Sequence, residues 1–207
     1  MIDAIVSAIL QVVVFTLIPF CVYVVTHRRV GGFFAYIGLR RPERRTMIWA
    51  TLLSVLFIWL TLALFLLLGL RETLIAPDTV AGNLRARGLS AETLFVLVLT
   101  AFGTTALAEE ILFRGFLAKR LISWLGFGWG NLLQALLFGL LHLSIYAAPG
   151  APAFSLFHGV GIVLATGLGG WVFGALNERL GNGSIVPSWW AHGLGNLLGY
   201  IYQVVFL

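Results

Sequence analysis

Residues 4–25 read AIVSAILQVVVFTLIPFCVYVV, twenty-two positions without a formal charge. A helix rises about 1.5 Å per residue, and the hydrocarbon core of a bilayer is about 30 Å thick, so roughly 20 such residues cross it. The same reading extends to 46–70, 92–117, 130–147, 156–176 and 184–206. Alternation at period 2 is absent from these stretches, which argues against a membrane β-barrel. The expected fold class is therefore all-α: a polytopic transmembrane helix bundle of about six spans.

Composition points the same way. Of 207 residues, 60% are hydrophobic and 10% charged, against about 25% charged in a soluble domain that must solvate its surface. Lipid is the solvent this chain requires. The connections are short, so residues 1–207 are expected to form a single membrane-embedded domain, with a motif-bearing core at about 92–200.

The net charge of +5 does not imply nucleic acid as a partner. Arg28, Arg29, Arg40, Arg41, Arg44 and Arg45 gather between the first two spans, as a cytoplasmic loop under the positive-inside bias would have them. Contact with anionic lipid is compatible with that cluster. Lys119 and Arg120 are then expected inside, and the loop 71–91, with Arg71, Glu72, Asp78, Arg85 and Arg87, outside. The segment around Asn177, Glu178 and Arg179 is ambiguous by this rule. Positive charge follows the first apolar run instead of preceding it, so that run is expected to stay as a span. Cys21 is the single cysteine and is expected to serve packing. Gly170 and Gly174 form a GxxxG pair, a pattern that lets helices approach closely in lipid.

Glu109, Glu110 and Arg114 interrupt the third span within residues 106–115, ALAEEILFRG. A charge at mid-bilayer costs about 2.5–3.5 kcal/mol on insertion scales, so three close together read as functional. At helical spacing Glu110 and Arg114 can pair, whereas Glu109 points about 100° away from Glu110 and is expected to face a cavity. His142, one turn after Phe138, lies in the fourth span. His192, one turn before Asn196, lies in the sixth. A bundle turning Glu109, His142, His192 and Asn196 inward would collect a carboxylate, two imidazoles and a carboxamide. That set can activate water and hold an oxyanion, as peptide hydrolysis requires. His27 and His158 lack such partners and are expected at the interfaces.

At these residues the sequence resembles the CPBP intramembrane proteases, the family of CAAX-processing and bacteriocin-linked membrane endopeptidases. Its motifs EExxxR, FxxxH and HxxxN read here as Glu109-Glu110-Ile-Leu-Phe-Arg114, Phe138-Gly-Leu-Leu-His142 and His192-Gly-Leu-Gly-Asn196. The resemblance covers about 92–200 and implies an intramembrane endopeptidase of the glutamate type, formerly classed as a metalloprotease. Glu109 and His142 would activate water, His192 and Asn196 would hold the oxyanion, and Glu110, Arg114 and Phe138 would support them. The implied partners are membrane lipid and a peptide or protein substrate, with prenylated CAAX-type proteins among the candidates. A prokaryotic plasma membrane is the expected setting.

No cofactor is expected, although Glu109, His142 and His192 could also make a three-ligand zinc site with an open position. The chain has no HExxH helix and no evident second carboxylate to orient both imidazoles. Two other classes compete with the protease. A proton-coupled transporter would also place Glu and His in spans, but no inverted repeat relates the halves of this chain. A non-catalytic immunity or scaffold protein could keep the pocket and act by binding.

Overall fold

The computed structural model describes residues 1–69, 71–75, 79–88, 90–147 and 153–207, with the backbone alone at Thr73. Asp78, counted above in the loop 71–91, lies outside the described residues. Among the described residues the chain is helical and holds no strand. In order it forms α1 (Ile2–His27), a one-turn α2 (Phe33–Tyr36), α3 (Arg44–Leu67), α4 (Arg71–Leu74), α5 (Val80–Arg87) and α6 (Ala91–Val98). α6 runs on as π-helix through Leu99–Leu107 and Glu110–Ala118 into α7 (Lys119–Leu141), followed by a 3-10 turn at His142–Ala147. α8 (Leu156–Ala175) continues as π-helix through Leu176–Leu180, and α9 (Val186–Phe206) ends the described chain one residue before Leu207.

Local signals set these boundaries. Ser90 caps α6, its hydroxyl accepting from Thr93 N at 3.0 Å, with Glu92 in the first turn where the helix dipole favours it. Pro187 opens α9 at a position where its missing N–H removes nothing. Gly126 takes φ +75 and breaks α7, which folds back on itself there. A side chain at Gly130 would collide with the Ile122 backbone, so the two arms of that fold need glycine.

Four helical runs are long and apolar enough to cross a membrane: Ile2–His27, Arg44–Leu67, Ala91–Ala147 and Leu156–Leu180. The sequence reading expected about six. Its third and fourth spans both lie in the run Ala91–Ala147, on either side of Gly126. Its sixth lies in α9, 21 residues long, where His192, Asn196 and neighbouring glycines lower the hydropathy.

Contacts at the helix ends sort the connections into two groups. At one end the Met1 ammonium meets Glu92 at 2.9 Å, and Arg71 donates to the Leu207 carbonyl. At the other, Lys119 Nζ binds Glu178 Oε1 at 2.6 Å and Gly183 O at 2.7 Å. Arg120 lies 3.4 Å from the Tyr36 ring centroid, and Ile185 N donates to Gly38 O at 2.9 Å. Thr46 donates to Leu180 O at 2.7 Å. The basic loop, the start of α7 and the segment 177–185 therefore share one end. This gives the Asn177–Arg179 segment, ambiguous in sequence, a place beside Lys119. Cys21, expected to pack, is exposed on α1.

The helices carrying the motifs pack closely. α7 and α8 approach through glycine: a Cβ at Gly139 would lie 2.6 Å from Val163 O, and one at Gly174 would collide with Asn131 Oδ1. Asn131 and Gln134 cross this seam, donating to Trp171 O and Gly170 O, each at 2.9 Å. Gly193 of α9 receives the Phe102 ring with no room for a side chain.

Candidate active site

Glu110 is fully buried, and Arg114 is 1% exposed at its side chain. Arg114 Nη1 lies 3.1 Å from Glu110 Oε1, the i, i+4 pair that the spacing implies. The guanidinium also sits over the Phe138 ring, 4.0 Å from its centroid, with Phe173 at 5.7 Å. Flat cations favour such faces when water is excluded.

His192 joins the two glutamates. Its Nδ1 lies 3.0 Å from Glu110 Oε1 and its Nε2 3.8 Å from Glu109 Oε2. Glu109 and Glu110 thus meet different nitrogens of one imidazole. The segment winds as π-helix from Glu110. A carboxylate orients one of the two imidazoles, Glu110 holding His192. His142 is oriented by a carbonyl instead, its Nδ1 bonded to Phe138 O at 2.8 Å with the ring edge-on to Phe138.

His142, His192 and Asn196 line one partly open cavity of about 150 Å³, together with Phe138, Phe173 and Phe57. Glu109 is not part of that lining. It stands beside His192 and within electrostatic range of His142. Besides the three guanidinium nitrogens of Arg114, buried atoms without a hydrogen-bond partner on the protein include Glu109 Oε2, an acceptor, and Asn196 Nδ2, a donor. A buried polar atom left unpaired is costly, so each is suited to a polar guest. All seven residues picked out by the motifs thus meet in one region. The two controls do not: His27 stacks on Tyr23 at the basic end, and His158 lies against Phe157.

Among the described residues, no three His, Cys, Asp or Glu side chains are grouped as a metal-ligand set. Both Nδ1 atoms are engaged, that of His142 with a carbonyl and that of His192 with Glu110, while Glu109 Oε2 stands 3.8 Å from His192 Nε2.

Sequence reasoning missed Ser188 and Asn177. Ser188 donates to Glu110 Oε2, and Asn177 Nδ2 donates to Ser188 Oγ at 2.6 Å. It also missed Tyr200, one turn beyond Asn196 on α9. Spacing held the signal: Ser188, His192, Asn196 and Tyr200 recur every fourth residue along one face of α9.

The family described as type II CAAX prenyl endopeptidase, Rce1-like, matches residues 91–198, just over half of the chain and including all three motifs. Comparison with the curated proteins and with the solved structures returned no match. The apolar helices and this match make the protein a multi-pass integral membrane protein of a protease family. The chain belongs to the Rce1-like type II CAAX prenyl endopeptidases.

Proposed function

We propose that this protein is a metal-free intramembrane endopeptidase in the plasma membrane of a prokaryote. Its substrate is a membrane-associated peptide or protein, and the family name points to prenylated CAAX-type C-termini. The observation that carries the reading is two unpartnered buried atoms, Glu109 Oε2, 3.8 Å from His192, and Asn196 Nδ2 of the cavity that His192 also lines.

In this reading Glu109, assisted by His142, takes a proton from water, and the hydroxyl oxygen adds to the scissile carbonyl carbon. The carbonyl electrons move to oxygen, and Asn196 Nδ2 donates to the resulting oxyanion. Glu110 carries charge against Arg114, so it accepts, and the hydrogen in its contact with His192 belongs to Nδ1. Donation from His192 to the oxyanion through Nε2 would need a second proton on the ring, so Asn196 Nδ2 is the donor present in the resting site. On collapse the C–N bond breaks, and the proton held by Glu109 passes to the leaving amine. General acid–base transfer of this kind contributes about 10²–10⁴-fold.

The test is hydrolysis in proteoliposomes of a farnesylated peptide and of its unmodified twin. Wild type is expected to cleave the lipidated peptide, and Glu109→Ala to lose that cleavage. Undiminished cleavage by Glu109→Ala overturns the assignment. Solute flux without cleavage would favour the carrier.

A further inference from the structure

We propose that Ser188, seated by Asn177, is a positioning residue: by holding the Glu110 carboxylate in one orientation it fixes the proton of His192 on Nδ1. The proposal rests on the reading of His192 as a member of the peptidase site.

Glu110 is held by Arg114, Ser188 and His192. Arg114 supplies its counter-charge at 3.1 Å, but all three guanidinium nitrogens lack a partner in hydrogen-bond geometry. An ion pair without a directed hydrogen bond fixes charge, not orientation. Orientation must come from elsewhere, and on Oε2 the contact that supplies it is the Ser188 hydroxyl. A hydroxyl donating to a carboxylate makes a short, charge-assisted bond, roughly twice as strong as a neutral one.

Ser188 is itself constrained. Asn177 Nδ2 donates to Ser188 Oγ at 2.6 Å, and Ser188 N donates to Asn177 Oδ1 at 3.2 Å. With a lone pair of Oγ thus occupied, its single hydrogen can go to Glu110 Oε2 or to Ile185 O at 3.1 Å. The charged acceptor is the stronger of the two. Glu110, Ser188 and Asn177 are all buried, at 0%, 0% and 1% exposure, so water does not compete for these bonds.

A carboxylate so turned presents Oε1 to His192 Nδ1 at 3.0 Å. An ionised carboxylate only accepts, so the hydrogen sits on Nδ1 and Nε2 is left facing Glu109. Removing the Ser188 hydroxyl frees Glu110 to rotate about its terminal torsion and releases the choice between the two neutral forms of His192.

The experiment compares wild type, Ser188→Ala and Ser188→Thr as full chains in detergent micelles, by ¹⁵N spectra of labelled histidine and by steady-state hydrolysis of a farnesylated peptide. His192 is assigned by its loss in His192→Gln. Wild type is expected to show His192 protonated at Nδ1, and Ser188→Thr to preserve that signature. Ser188→Ala is expected to show a mixture, with kcat lower by about ten- to a hundredfold, the scale of one hydrogen bond to a charged group, and KM within about twofold. An unchanged His192 spectrum and unchanged kcat in Ser188→Ala overturn the proposal. So does a loss confined to thermal stability, which is what packing alone would give. Should Ser188→Ala not fold, Ser188→Cys, a weaker donor, is read by the same two measurements. If wild type cleaves no peptide, the peptidase reading fails and the nitrogen spectrum decides the positioning claim by itself.

Discussion

Glu110 and Glu109 are adjacent carboxylates in very different circumstances. Glu110 answers to Arg114, Ser188 and His192 at once, whereas Glu109 Oε2 has no hydrogen-bond partner on the protein and only the His192 ring 3.8 Å away. Substituting them should therefore separate stability from activity. Glu110→Gln strands the buried Arg114 cation and is expected to cost about 3–5 kcal/mol, read as a fall in the unfolding midpoint in detergent. Combining it with Arg114→Met should recover much of that stability without restoring cleavage, because the orienting carboxylate is still missing. Glu109→Gln should leave the midpoint near wild type and remove cleavage. A large loss of stability in Glu109→Gln would mean that its side chain is structural. The motifs made Glu109, His142, His192 and Asn196 visible in the sequence. Asn177 was not, because its bond to Ser188 is created only by packing, and Ser188 was marked by nothing but its register with His192 and Asn196 on α9.

At the scale of the elements, two glycines of α7 should respond in opposite directions. Gly126 holds φ +75, so Gly126→Ala places a side chain where the backbone is strained, at a cost of about 1–2 kcal/mol. Gly128 is helical with nothing within 4 Å of an added Cβ, and Gly128→Ala is expected to be neutral or stabilising by up to about 1 kcal/mol. Chemical unfolding of the two variants checks both signs. At the α7–α8 seam, Gly174→Ala would drive a methyl into Asn131 Oδ1 and break its bond to Trp171 O. We expect it to destabilise by about 1–3 kcal/mol, whereas Ala at Gly128 does not. The spans were legible because apolar length is a property of the residues alone, and GxxxG marked the seam. The π-helical winding was not legible. It depends on how the chain accommodates charges against neighbouring helices.

Over the whole molecule, the end contacts divide the surface into a basic pole and an opposite pole. The loop with Arg40 and Arg41, Lys119, Arg120 and the segment 177–185 belong to the first; Met1, Arg71 and Leu207 belong to the second. With Cys21 replaced by serine, cysteines at Arg41→Cys and Asn182→Cys should react with an impermeant thiol reagent from one side of sealed vesicles, and Arg71→Cys from the other. By the positive-inside bias the first side is the cytoplasm. Labelling of Arg41→Cys and Asn182→Cys from opposite faces would break this topology. Charge counting could place the basic loop but not 177–185, whose single Glu178 and Arg179 nearly cancel. Its side follows from the Lys119–Glu178 pair, a contact between residues far apart in sequence.

Between the poles, the account stands or falls on whether a carboxylate of one helix and an imidazole of another act on the same water. The most direct measurement is a cycle of hydrolysis rates for wild type, Glu109→Gln, His142→Asn and the double variant in proteoliposomes. Groups that work as a unit are non-additive, so each single variant should lose about 10²–10⁴-fold in kcat and the double variant no more than the worse single one. Losses that multiply, or a Glu109→Gln variant that cleaves as wild type does, would contradict a shared site.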